Sequence, residues 1–324
     1  MTQADLAYFV RQQGRMRGLQ SGMITVLVNA FEVLRESMSD AQLEALIRAG
    51  DTGQIIDALL SGTFDRATIP VTEQLRQIVM TAFRQTITDL PAGGKIDGQV
   101  AVAFGHLNPD VIAALTELQT TVLDGLRNDV KAAVLAAVKD GIENGDSVSA
   151  IASTLRGVIG LSGSQTQEVL NFRDALMGVN GRAITDYSLR NRVVDQLIRN
   201  NGSLTAAQVD RYTAAYRDAR IAQNTKTVAG TAMKEAYRQG QHMSWAAARD
   251  SGVVPDGFDM MRQWIVVGDD RERDEHLIMN DEITGFDEPF SNGDMIVGEG
   301  SPWNCRCVER VFLVKSDAAD EMAA

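Results

Sequence analysis

The sequence predicts a mainly α-helical chain with a small C-terminal α+β segment, in which long helices give way to a few short strands and glycine-rich loops. Three observations lead there. Apolar residues recur at helical spacing from residue 5 to about 238, and hydroxyl–amide pairs of the capping-box type punctuate that stretch. After about residue 253 the pattern changes to short, β-branched, partly alternating runs separated by Gly, Asp, Asn and Pro.

Taken in order, Leu75, Ile78, Val79, Ala82 and Phe83 fall on one helical face, with Pro70 expected near the start of that helix. Asn108 as cap and Pro109 as first residue announce a second long helix. Its stripe of Val111, Leu115, Leu118, Val122, Leu126, Val130 and Val134 reaches Gly141, a length of about 45 Å, and reads as packed core. Ser39 with Gln42, Ser164 with Gln167 and Thr205 with Gln208 mark three further helix starts. Residues 91–94 (Pro-Ala-Gly-Gly) and 200–202 (Asn-Asn-Gly) read as loops, and residues 261–267 and 308–314 as strands. The organisation expected is an N-terminal helical region (1–90), a helical body (106–250), a small α+β domain (253–315) and a flexible tail (316–324).

With 324 residues, 44% hydrophobic and 23% charged, the composition is that of a globular protein and excludes a disordered or fibrous one. No run approaches the ~20 apolar residues that cross a bilayer, so a soluble chain without a membrane-spanning segment is expected. Residues 1–17 mix acids, amides and arginines, which points to synthesis in a cytoplasm without an export signal. A net charge of -12 argues against coating nucleic acid by net charge alone, but the charge is uneven. Residues 182–238 carry ten basic against five acidic side chains, and residues 256–299 thirteen acidic against three basic. Arg182, Arg190, Arg192, Arg211, Arg217 and Arg220 are therefore candidate contacts to DNA phosphates, with neutralisation inside the fold the competing explanation.

The chemistry-bearing residues gather near the C-terminus. His276, Cys305 and Cys307 are the donor types zinc prefers, and a carboxylate such as Asp274 or Asp281 would complete four ligands, although Cys-x-Cys lacks the two-residue gap of a zinc knuckle. Alternatively Asp269, Asp270, Glu272, Asp274, Glu275 and His276 would bind Mg²⁺ or Mn²⁺ in a metal-dependent, nuclease-like hydrolase. A third reading needs no cofactor. Asp269 and Arg271 pair across a turn, His276 donates to a carbonyl, Arg306 forks onto a carboxylate, and Trp264 and Trp303 form an apolar floor. The His-Glu-x-x-His, phosphate-loop and Gly-x-Ser-x-Gly signatures are absent from the sequence.

These residues resemble a known family, the MuF-like phage head morphogenesis or minor capsid proteins. The resemblance rests on Trp264, then Asp269 or Asp270, Arg271, Arg273 and His276, then Phe290 and Pro302, then Asn304, Cys305, Arg306 and Cys307. Upstream, residues 145–148, 159–162 and 167–173 are similar to the family's helical lead-in, so that the resemblance covers about half the chain, residues 145–315. Residues 220–227 match its Ile-Ala-x-Thr-Glu-like helix, with Lys226 in place of the usual acid. The resemblance implies a non-catalytic virion component at the portal and capsid interior, assisting head assembly or DNA delivery. Its implied partners are the portal protein, capsid or scaffold proteins and packaged double-stranded DNA. Residues 1–140 carry no motif of the family.

Overall fold

The computed structural model describes residues 3–87, 109–250, 252, 254–266, 273–297 and 305–322. It is mainly helical with a small antiparallel sheet near the C-terminus, the architecture the sequence predicts. The helices are α1 (Gln3–Glu36), α2 (Asp40–Ala49), α3 (Thr52–Leu60), α4 (Gly62–Ile87), α5 (Pro109–Glu143), α6 (Val148–Val158), α7 (Gly163–Met177), α8 (Val193–Asn201) and α9 (Ala206–Asp250). A 3₁₀ turn, Ile184–Asp186, lies between α7 and α8. Then come β1 (Phe258–Ile265), α10 (Asp274–Ile278), β2 (Ile283–Gly285), β3 (Val308–Lys315) and α11 (Ser316–Met322). Among the described residues no helix is long and apolar enough to cross a membrane.

Two helix starts differ from the sequence reading. α4 begins at Gly62, so Pro70 lies inside it. The helix tolerates proline there because Phe64, Ala67, Thr68 and Val71 keep one face buried while Pro70 sits on the exposed face, where the carbonyl it strands meets water. The cap of α7 is Ser162 with Gln165, not Ser164 with Gln167: both hydrogen bonds of the capping box form at Ser162. Asn224 fixes the choice, accepting from Gln165 Nε2 at 3.0 Å and donating from Nδ2 to the Gly160 carbonyl at 2.9 Å. The boxes at Ser39 and Thr205 form as expected. α5 runs 35 residues, about 52 Å, and Leu126, Val130 and Val134 of its stripe are buried. The cap proposed at Asn108 and the loop at residues 91–94 lie outside the described residues.

Contacts gather the chain into two compact units. The second comprises Ile24–Val71 and Thr121–Thr227. Its core joins Ala133 and Ala137 of α5, Val158 and Leu161, Val169 and Phe172 of α7, and Tyr212 and Tyr216 of α9. Phe172, Tyr187 and Tyr216 meet ring to ring, with centroids 4.3–5.8 Å apart.

The first unit comprises Met1–Met23, Thr72–Thr120 and Val228–Ala324. Within it α9 passes so close to α4 that a Cβ on Gly240 would stand 2.8 Å from Ala82 Cβ and closer still to the Val79 carbonyl. The sheet has the order β2-β1-β3, both neighbours antiparallel to β1. Two of its strands match the predicted runs; β2, with three residues, does not register in the sequence. One face carries Met260, Arg262 and Trp264 of β1 with Glu309, Val311 and Leu313 of β3.

Candidate metal centre

β1 hands the chain to α10 and takes it back as β2. Trp264 N–H donates to the Glu282 carbonyl and Asp281 N–H to the Trp264 carbonyl, both at 2.9 Å, which folds α10 over the end of β1. Arg273 opens α10, its carbonyl accepting from His276 N–H and Leu277 N–H. The short helix thereby aims His276 inward, 3% exposed, with its ring edge-on to Trp264 at 5.5 Å between centroids.

Cys305 and Cys307 run into the start of β3. Side chains of an extended chain alternate, so residues two apart share a face. Both sulphurs accordingly turn into the same buried cluster, with Trp264, Val266, Met279, Phe290 and Val297. His276 Nδ1 lies 3.4 Å from Cys307 Sγ and 3.7 Å from Cys305 Sγ. The three donor atoms all fall within 4.8 Å of one another, a group able to hold a metal ion. Cys-x-Cys is therefore a suitable spacing in the extended chain that leads into β3, where a zinc-knuckle turn would need a wider one.

No carboxylate joins this group among the described residues. Asp274 is exposed, and Asp281 accepts from Gln263 Nε2 and Asn280 Nδ2 at 3.0 and 2.8 Å. Asp269, Asp270, Arg271 and Asn304, together with Glu272, Pro302 and Trp303, lie outside the described residues. Arg306, between the cysteines in sequence, is half-buried, and its carbonyl accepts from Gln13 Nε2 of α1 at 3.0 Å. Trp264 is fully buried, and its Nε1 finds no acceptor among the described residues.

Two basic residues that the sequence reading counted only as part of a charged block belong to the cluster. Arg238 of α9, 6% exposed, donates from Nη2 to the Cys305 carbonyl (3.1 Å), Cys305 Sγ (3.4 Å) and the Cys307 carbonyl (2.7 Å). Lys234, one turn earlier, has its amine lowered to about 8 by burial first and by Arg238 next, with Cys305 acting the other way. The Cys305 thiol is pulled down, first by the hydrogen bond from Cys307 and then, against the cost of burial, by Arg238, by the Cys307 backbone and by His276. The only sequence signal was the four-residue spacing of Lys234 and Arg238, which puts them on one helical face without saying what that face meets.

Arg262 organises the loop that closes the cluster. It is fully buried and donates to the carbonyls of Gly285, Glu288 and Met295, with its guanidinium 4.8 Å from the Phe290 ring centre.

The candidate DNA-contacting arginines, all in the second unit, do not form one uniform basic face. Arg190 holds Asp195 through two hydrogen bonds of 3.0 and 2.8 Å, and Arg220 is bound to Glu168. Arg217 pairs with Asp218 and lies over Gly157, where together with Arg35 and Arg156 it borders a cleft of about 600 Å³ that four acids also line. Arg182 sits 3.9 Å from Asp186 and over the Tyr187 ring. Arg192 and Arg211 are exposed.

No protein-family pattern, curated protein or solved structure matches the chain.

Proposed function

We propose that the chain is a phage minor capsid protein of the head morphogenesis type, acting by binding at the portal and the capsid interior during head assembly or DNA delivery, and not by catalysis. The observation that supports this reading is the convergence of the two ends of the motif on which the resemblance rests. Trp264 and His276 at one end and Cys305 and Cys307 at the other, some thirty residues on in sequence, share a single buried cluster. Such a cluster suits a small structural module whose outer surface does the binding, and its donor set of two sulphurs and an imidazole suits zinc. The chain would be made in the host cytoplasm, carried in the virion, and meet packaged DNA through exposed positions such as Arg192 and Arg211.

The hydrolase alternative draws on the same metal group. It would need an ion with a face open to substrate, whereas His276, Cys305 and Cys307 are 3%, 9% and 0% exposed, so the structural reading is preferred.

The test is quantitative mass spectrometry of particles of the phage that encodes the chain, before and after DNA release. The expected result is a copy number near that of the portal and far below that of the major capsid subunit. Absence from the particles overturns the proposal.

A further inference from the structure

We propose that His276, Cys305 and Cys307 bind a zinc ion that staples the start of β3 to α10, with Arg238 of α9 as the supporting donor. The inference stands independently of the capsid reading, since it rests on donor geometry alone.

Zinc bonds nitrogen at about 2.0–2.1 Å and sulphur at about 2.3 Å, so a tetrahedral ion sets its nitrogen and sulphur ligands about 3.6 Å apart. The two separations here are 3.4 and 3.7 Å. A single cation takes all three donors together, whereas protons would have to be placed one by one between the two sulphurs and Nδ1. Thiolate and imidazole donors select zinc over magnesium or calcium, which prefer oxygen. The described residues supply three of the four ligands of a tetrahedral ion.

The surroundings fit a pair of thiolate ligands, because Arg238 donates directly to Cys305 Sγ. Two metal-bound thiolates and one Zn²⁺ sum to zero, so the centre itself adds no net charge to the core. The same guanidinium nitrogen reaches the carbonyls of both cysteines. That grip sets the backbone of the Cys-x-Cys segment and so the direction of both sulphurs, the usual task of groups that hydrogen-bond to metal ligands. Neither cysteine is in a disulfide.

The experiment uses the full chain, purified with a reductant, stripped with a chelator and reloaded with zinc or cobalt. Elemental analysis is expected to find one equivalent of zinc after removal of the excess, and cobalt to give thiolate charge-transfer absorption. His276→Gln, Cys305→Ser and Cys307→Ser should each weaken binding by more than about 100-fold, and Arg238→Lys, which keeps the charge but loses the fork, by about 10-fold. Circular dichroism separates loss of metal from loss of fold, and His242→Gln, a histidine outside the cluster, should bind as the parent does. A reduced, helical parent chain that takes up no zinc and shows no cobalt–thiolate absorption overturns the proposal. So does binding that survives all three ligand substitutions unchanged.

Discussion

At the scale of single residues, burial decides which side chains carry consequences, and the sequence does not print burial. His276 stood out by its neighbours Asp274 and Glu275, yet both are exposed and it is the histidine alone that turns inward. His242 carries no motif in the sequence, yet its titration is displaced. It stacks on Phe286 with ring planes 7° apart, and burial first, then Arg262, holds its imidazole down to about 4, with Asp287 opposing and Arg249 adding to the effect. For a base whose folded pKa is depressed, the unfolded chain takes up the proton first as pH falls. The associated stability is fully present above about pH 6.5 and lost as pH falls toward 4. Urea unfolding of the parent and of His242→Phe at several pH values isolates this group, because the other titrating residues cancel in the difference. The parent is expected to lose up to about 3 kcal/mol relative to the variant between pH 6.5 and 4. Parallel curves would remove His242 from the account.

At the scale of elements, hydrophobic spacing makes the long helices legible because one face of each is buried. Leu75, Ile78, Val79, Ala82 and Phe83 are all between 0% and 2% exposed. Boundaries were harder where two local solutions compete. Both Ser162 and Ser164 precede a glutamine by three residues, and the box that forms, at Ser162, is the one whose glutamine also bonds the distant Asn224. Ser162→Ala should therefore lower stability by about 1 kcal/mol and Ser164→Ala by a few tenths at most, measured by thermal or urea unfolding. Equal effects would place the helix start elsewhere. β2 escaped notice for a different reason, since three residues, Ile283–Gly285, are too few to show alternation. The cysteine spacing is short for a turn motif, yet the alternation of extended chain places residues two apart on one side.

At the scale of the whole molecule, the uneven charge was legible and its use was not. Ten basic residues in one block looked like a face for phosphates, but a sequence count cannot see that Arg190 and Arg220 are committed to Asp195 and Glu168. Charge reversal should accordingly split the six arginines by effect. Arg192→Glu and Arg211→Glu should leave melting nearly unchanged and weaken whatever low-salt affinity for duplex DNA the chain has, whereas Arg190→Glu and Arg220→Glu should lower stability. Fluorescence anisotropy over a salt series with thermal melting of the same variants separates the two, and loss of affinity in the paired set alone would reverse the assignment.

The sheet also has an outer margin. Trp264 spends its backbone groups on the β2 side, so the main chain of Glu309 opposite it, and of Cys307 two residues before, faces away from β1. Tyr8 O–H of α1 donates to the Glu309 carbonyl, Asp5 holds Arg310, and Arg238 occupies the Cys307 carbonyl. A bare strand edge invites pairing with another chain. The residues that tie β3 to the helices thus double as a guard against aggregation, so that this little sheet stays with its own chain when many copies crowd together.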